Sequence, residues 1–209
     1  MGRSLLGVGM SIVAARRTWG EGIALLVVDV QNDFADPAGS LSVAGGAEIV
    51  PVVNDLVTVA RGDGSLVVYT QDWHPAVTPH FASSGGTWPD HCVQGTWGAE
   101  LHPDLLVEGP VVRKGAQGED GYSGFRGRDP LTGEEGPTPL EGILREAGVR
   151  RVVIAGLATD YCVLETARHA AGLGFEVEVV EDAVRAVDLR PGDGEAALDD
   201  LRARGVEVR

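Results

Sequence analysis

One cysteine in the chain has the surroundings of a nucleophile. Cys162 follows an apolar, β-branched run at 152–154 and a Gly-containing turn, at the point where a helical pattern begins. This order predicts that Cys162 lies in the first turn of a helix that leaves the end of a buried strand. The free N–H groups and partial positive charge of a helix N-terminus favour a thiolate and can also bind an oxyanion. The alternative is that Cys162 is a small buried hydrophobic residue, as most free cysteines are.

An aspartate and a lysine are candidates for the groups that activate this cysteine. Asp29 and Lys114 each follow a short apolar run that we predict to be a strand. Asp29 could take the thiol proton, and an ammonium beside Cys162 would hold its pKa below that of a free thiol. Lys114 is the only lysine in the chain, so a compact ammonium stands where the sequence otherwise uses guanidinium. Taken singly, Asp29 could be a helix or turn cap, and Lys114 could be a solvated loop charge. Because both residues and Cys162 follow predicted strand ends, we favour a catalytic triad.

A second group of residues has the composition of a metal site. One aspartate and three histidines lie within twenty residues: Asp72, His74, His80 and His91. Residues two apart on an extended segment point the same way, so Asp72 and His74 can share a partner, and the loop can bring the other two histidines round. Such a set suits a divalent first-row metal such as zinc, iron or manganese. Cys92 is a further conceivable ligand, although packing is its more usual role.

The elements that must position these residues alternate between strand and helix patterns. The predicted strands are 24–28, 66–70, 111–113, 151–155, 175–180 and 206–208, and the predicted helices are 45–62, 140–147, 160–173 and 194–204. This alternation predicts a doubly wound α/β fold with a mostly parallel six-stranded sheet and helices on both faces. Ligands bind such sheets beyond the carboxyl ends of the strands, where the candidate residues lie. The long irregular segment 71–110 indicates a functional loop.

Composition argues against several classes of function. The chain has 209 residues, 44% of them hydrophobic, with no compositional break, so we expect one domain at 21–209 after an N-terminal extension at 1–20. The net charge of −14 argues against binding to nucleic acid or to anionic membrane surfaces. No apolar run approaches the ~20 residues of a membrane span. The two cysteines do not form a disulfide scaffold, so we expect a reducing, cytoplasmic location.

The extension superficially resembles a secretory leader. Gly7 and Gly9 interrupt its apolar run, and Arg16 and Arg17 stand where a small-residue cleavage site should lie. We therefore expect no export, and Met10 is an alternative start.

Taken together, these motifs resemble the nicotinamidases of the isochorismatase-like cysteine hydrolase superfamily. The matching segments follow the family's order from Leu25 onward, and they are Val28–Phe34, Asp72–His74 with His80, Trp88–Cys92, Lys114–Gly115, Tyr122–Phe125 and Gly156–Val163. The resemblance implies an isochorismatase-like fold and a metal-dependent amide hydrolysis that passes through a thioester. The implied substrate is nicotinamide, with pyrazinamide as a second one, and the products are the acid and ammonia.

The resemblance also implies roles for particular residues. The catalytic triad would be Asp29, Lys114 and Cys162, and the metal ligands would be Asp72, His74, His80 and His91. A cis peptide between Leu157 and Ala158 would direct the N–H groups of Ala158 and Cys162 at an oxyanion. Phe34 and Trp88 would flank the substrate ring, and Tyr122 would join them in the substrate pocket.

Two features depart from the family pattern, and other functions stay open. The departures are the extension before Thr18 and the acidic insertion around Glu119 and Asp120. A ureido-acid amidohydrolase or an isochorismatase-type hydrolase would share the sheet and Asp29. The isochorismatase type typically lacks the nucleophilic cysteine, and neither is expected to keep four metal ligands. A non-catalytic metal-binding scaffold would leave Cys162 merely buried. The expected partner is a small-molecule substrate, and the chain could act alone or as a homo-oligomer.

Overall fold

The computed structural model describes residues 19–209. The suggested leader and the alternative start at Met10 therefore lie outside the described residues. The strands are β1 (Ile23–Val28), β2 (Leu66–Asp72), β3 (Val111–Lys114), β4 (Arg126–Arg128), β5 (Glu135–Pro137), β6 (Arg151–Leu157), β7 (Glu176–Arg185) and β8 (Glu207–Val208). The α-helices are α1 (Asn32–Ala35), α2 (Ile49–Gly62), α3 (Leu140–Glu146), α4 (Leu164–Gly172) and α5 (Asp193–Ala203). None of the helices in this part of the chain is long and apolar enough to cross a membrane.

Six of the strands form one sheet in the order β3-β2-β1-β6-β7-β8. Every neighbouring pair in it is parallel, which confirms the predicted doubly wound α/β fold. The apolar runs fill the centre of the sheet, since five of the six residues of β1 are buried. β7 is longer than predicted, because its pairing with β6 resumes beyond a register shift between Ile154 and Gly156 and continues to Arg185.

Helices cover both faces of the sheet, and each face has its own hydrophobic core. Alternate residues of β1 serve the two cores: Leu25 and Val27 pack with α2 on one face, and Ala24 and Leu26 pack with α3, α4 and α5 on the other. Strands buried on both faces need apolar side chains at every position, which is why these segments read as continuous apolar runs.

The connections carry structure that the periodicity did not predict. Short 3₁₀ turns at Gly46–Glu48, Ala82–Ser84 and Trp97–Ala99 interrupt the loops, and β4 and β5 pair as an antiparallel hairpin within the Gly-rich segment after β3. The predicted helix at 160–173 begins instead with a π-helical turn, Thr159–Val163, which continues into α4. The carboxyl ends of β1, β2, β3 and β6 and these connections surround the candidate site.

Candidate active site

Asp29 occupies the first position after β1 and is completely buried. Its backbone adopts a left-handed conformation with φ 48°, which is uncommon for a residue other than glycine and often occurs at functional sites. Thr70, near the end of β2, fixes the carboxyl group: its Oγ1 donates a hydrogen bond of 2.6 Å to Asp29 Oδ1. Burial raises the pKa of Asp29 above the usual aspartate range, although Lys114 opposes this shift.

Lys114 ends β3 and points its ammonium into the same buried space. Its Nζ lies 2.9 Å from Asp29 Oδ2 and 3.5 Å from Cys162 Sγ, and it also forms an ion pair with Asp72. Burial disfavours the ammonium, but the carboxylates of Asp29 and Asp72 outweigh it and raise the pKa of Lys114 well above its usual value. Lys114 is therefore a permanent cation that contacts three of the candidate residues.

Cys162 lies within the π-helical turn, and its thiol is buried against the two carboxylates. The Sγ atom and carboxylate oxygens of Asp29 and Asp72 all lie within 4.8 Å of one another. Burial raises the pKa of Cys162 well above that of an ordinary thiol; Lys114 lowers it, but Asp29 and Asp72 raise it further. The expectation of a depressed thiol pKa is therefore wrong, because the helix N-terminus and one ammonium are outweighed by burial and two negative charges. The free enzyme holds a thiol whose proton Asp29 is placed to receive.

The turn that holds Cys162 leaves the backbone N–H of Ala158 available to an anion. The peptide between Leu157 and Ala158 is cis, as expected from the resemblance. The Ala158 carbonyl accepts hydrogen bonds from the N–H groups of Tyr161 and Val163 at 3.1 and 3.0 Å, which closes the turn. Within residues 19–209 the Ala158 N–H has no hydrogen-bond acceptor, and it lies on the pocket wall beside Cys162.

The three histidines form a second cluster, and they line the same pocket as Cys162. One nitrogen of each ring lies within 4.8 Å of the others: His74, His80 and His91. Both ring nitrogens of His74 are buried without a hydrogen-bond partner. The Nδ1 of His91 lies 2.6 Å from the Pro89 carbonyl oxygen, so the Nε2 is left free. Buried imidazole nitrogens without partners, such as those of His74, are costly unless something binds them. Three converging imidazoles match a divalent-metal site.

Asp72 stands between the triad and the histidines. Its Oδ1 is 3.8 Å from His74 Nε2 and is paired with Lys114, so it is not part of the compact three-histidine group. Although burial opposes ionisation, Lys114 and His74 keep the pKa of Asp72 far below the usual aspartate range. Gln31 fixes the backbone here, since its side chain donates to the Asp72 carbonyl and accepts from the Asp72 N–H, both at 2.8 Å. Asp72 as a fourth ligand stays a prediction.

Cys162, Asp72 and the three histidines line one pocket, which is partly open to solvent. Its walls include the residues named from the sequence, Phe34, Trp88 and Tyr122, and four others that were not anticipated, Leu41, Val43, Tyr161 and Val187. Trp88 Nε1 donates to the Tyr122 hydroxyl at 3.0 Å, and the Trp88 ring meets Tyr161 edge to face at 5.0 Å. The walls are thus mainly aromatic and aliphatic, with the histidines, Asp72 and Cys162 as their polar groups.

Sequence reasoning missed several residues that support the site. Thr70 and Gln31 carried a usable signal, because each is a polar residue at the end of an apolar strand run. Tyr161 adjoins the nucleophile and could have been found from the same turn. Val187 carried no signal: it lies beyond β7 and reaches the pocket because its N–H donates to the Asp160 carboxylate at 2.9 Å.

The comparisons with known proteins agree with this geometry. The family model described as the isochorismatase domain matches residues 23–209. The chain belongs to this family. It is 38% identical to a nicotinamidase of Escherichia coli over 204 residues, which cover 88% of this chain and 93% of that protein.

Solved structures of the family are also similar. A pyrazinamidase of Pyrococcus horikoshii in complex with zinc has a TM-score of 0.80 and 42% identity, covering 90% of this chain and 98% of its own. A protein from L. infantum in complex with nicotinate has a TM-score of 0.82 and 37% identity, covering 92% of this chain and 95% of its own. At these identities the likeness extends beyond the fold.

Proposed function

We propose that this protein is a nicotinamidase, which hydrolyses nicotinamide to nicotinate and ammonia through a thioester on Cys162. One observation carries the proposal: a buried thiol, carboxylate and ammonium lie together, and the thiol lines the same aromatic pocket as three converging imidazoles. The similar proteins named nicotinamidase and pyrazinamidase support the same amide chemistry. A vinyl-ether hydrolase or a ureido-acid amidohydrolase would not require this three-histidine group.

The first half of the reaction forms the thioester. The Cys162 thiol gives its proton to Asp29 while Sγ attacks the carboxamide carbon, so the carbonyl oxygen becomes an oxyanion. The N–H groups of Ala158 and Cys162 stabilise this oxyanion, an interaction that contributes roughly 3–4 kcal/mol per donor in other hydrolases. Asp29 then returns the proton to the amide nitrogen, the C–N bond breaks, and ammonia leaves.

The second half releases the acid. Asp29 accepts a proton from water as the water oxygen attacks the thioester carbon, and the C–S bond breaks. The same proton returns to the cysteine sulfur, which restores the thiol and yields nicotinate. Lys114 compensates the charge of Asp29 throughout, so that the carboxylate can cycle between its two protonation states inside a buried site.

The histidines form a divalent-metal site, and we propose zinc as its ion, with iron or manganese as alternatives. His74, His80 and His91 would hold the metal, with Asp72 as the fourth ligand. Gly115 fits this assignment, since a Cβ at its position would lie 2.6 Å from His74 Nδ1. A bound ion would supply a Lewis acid that can bind the ring nitrogen of the substrate, while Phe34 and Trp88 would hold the ring faces. Pyrazinamide keeps a ring nitrogen and fits the same pocket.

Ammonia release tests the proposal directly. Purified, zinc-loaded protein should release ammonia and nicotinate in equal amounts from nicotinamide, and Cys162→Ala should release neither while keeping the wild-type circular dichroism spectrum. Wild-type protein with bound zinc that leaves nicotinamide intact would exclude the activity. Appreciable turnover by the Cys162→Ala variant would exclude the thioester.

A further inference from the structure

An aspartate that the mechanism does not use ties the metal-site loop to a second loop. Asp120 lies in the acidic segment that departs from the family pattern, and its Oδ1 is 3.0 Å from Nδ1 of His80. We propose that Asp120 is a positioning residue: it accepts the Nδ1–H of His80 and so presents Nε2 to the metal ion. This inference rests on the metal site of the proposed function and adds a residue to it.

The Asp120 carboxylate is oriented independently of His80. Its backbone N–H and carbonyl exchange two hydrogen bonds of 2.7 Å with Arg128 in β4. The Oδ2 atom accepts from Arg128 Nη2 at 3.1 Å, and Oδ1 accepts from the Gly121 N–H at 2.8 Å. The carboxylate is therefore oriented towards His80 by two hydrogen bonds of its own, and two backbone hydrogen bonds hold the residue that carries it.

The three imidazoles differ in what fixes their orientation. His91 is held by a neutral backbone carbonyl at 2.6 Å, and His74 has no hydrogen-bond acceptor in the part of the chain described. His80 is the one of the three whose ring contacts a carboxylate held by a different loop. A carboxylate that accepts from a metal-bound imidazole fixes its tautomer and raises its basicity, and losing such a partner typically weakens metal binding about 10- to 100-fold.

Zinc affinity of the metal-free protein tests the proposal without reference to turnover. Competition with a chelator of known affinity at one pH gives the dissociation constant for each variant. Asp120→Ala should bind zinc about 10- to 100-fold more weakly than wild type. Asp120→Asn should recover part of this loss, because an amide oxygen still accepts the Nδ1–H. Asp90→Ala is the matched control, because it removes the same charge next to His91. Asp90 is exposed and its side chain bonds Ser83 rather than a histidine, so zinc affinity should change little.

A double-mutant cycle shows whether Asp120 acts through His80. In a His80→Ala background, Asp120→Ala should cost no further zinc affinity, because the ring it positions is gone. An equal loss in both backgrounds, or Asp120→Ala protein that binds zinc as tightly as wild type, would overturn the proposal. If Asp120→Ala does not fold, Asp120→Asn must still bind zinc more weakly than wild type. If the wild-type protein shows no measurable zinc affinity, the proposed metal site is excluded, and this result is distinct from a failure of the Asp120 proposal alone.

Discussion

At the residue scale, the buried cluster contains two carboxylates and a single ammonium. Asp29 and Asp72 both contact Lys114, so the surroundings of the Cys162 thiol are negative overall. Negative charge and burial both favour the thiol over the thiolate. This environment favours the proposed mechanism in which Cys162 loses its proton to Asp29 as it attacks, over one that starts from a preformed thiolate.

Replacing Asp29 with asparagine should move two properties in opposite directions. Asn cannot accept the thiol proton, so turnover should fall ~100-fold or more. The same change removes a negative charge that raises the pKa of Cys162, so iodoacetamide should alkylate the thiol faster near neutral pH. Both are measured on the zinc-loaded protein, with Asp63→Asn as an exposed, remote control that should change neither. Slower alkylation in Asp29→Asn would contradict the charge argument.

The pH dependence of kcat/KM should show the pH range in which Asp29 loses its proton. Asp29 must be ionised to accept the thiol proton, so activity is lost as pH falls through its pKa. Burial raises that pKa, so the acid limb should lie above the ordinary aspartate value of about 4. Because Asp29, Lys114 and Cys162 interact strongly, the acid limb gives an apparent pKa that belongs to the three residues together. Full activity down to pH values below about 4 would contradict a raised pKa.

At the element scale, the close approach of β1 and β6 depends on one glycine. Gly156 has φ 122°, and a Cβ there would lie 2.0 Å from the Val28 carbonyl oxygen. A side chain therefore meets both backbone strain and a clash directly beside Asp29. Gly156→Ala should destabilise the protein by several kcal/mol, which urea unfolding monitored by circular dichroism would measure.

Gly142 supplies the matched control for this substitution. It lies in α3, and a Cβ there meets no atom within 4 Å. Gly142→Ala should therefore be neutral or stabilise by about 0.5–1 kcal/mol through helix propensity. If the two variants unfold at the same urea concentration, the tight β1–β6 contact does not limit stability.

The sequence predicted those elements whose signal is local. Each buried parallel strand is an apolar run, and α2 repeats its apolar residues at helical spacing, so both were found with small errors at the ends. The extension of β7 to Arg185 was not found, because its second half is defined by pairing with β6 after a register shift. The π-helical turn was missed for a related reason: α and π turns share the same local composition.

The candidate site was predictable to the same extent. Asp29, Lys114 and Cys162 follow strand ends, and parallel strands bring their carboxyl ends to one edge of the sheet. The contact between His80 and Asp120 joins two loops 40 residues apart, and no spacing rule indicates it. The predicted direction of the Cys162 pKa shift was wrong, because the shift depends on burial and on the sum of nearby charges, which only the folded structure shows.

At the scale of the whole molecule, the sheet separates two tasks. The ends of β1, β3 and β6 carry the groups of the proposed triad, and the loop after β2 carries the histidines. Cys162 and the three histidines line one pocket, so a substrate bound there would contact both groups. In the proposed mechanism the triad and the backbone N–H groups account for hydrolysis, which leaves the proposed metal site to select and orient the substrate ring.

Benzamide distinguishes ring selection from a purely structural metal site. It has the shape and carboxamide of nicotinamide but no ring nitrogen. A site built around a polar contact rejects an analogue that lacks it, with discrimination reaching ~10⁴ in favourable cases. We therefore expect zinc-loaded protein to hydrolyse nicotinamide and pyrazinamide well and benzamide very poorly. Chelation or His74→Ala should lower kcat/KM for nicotinamide, whereas alkylation of Cys162 should persist, because the thiol clusters with Lys114, Asp29 and Asp72 and the three histidines form a separate cluster. Comparable kcat/KM values for nicotinamide and benzamide, or full nicotinamide turnover after verified metal removal, would exclude ring selection. The histidine cluster would then have only a structural role in its loop.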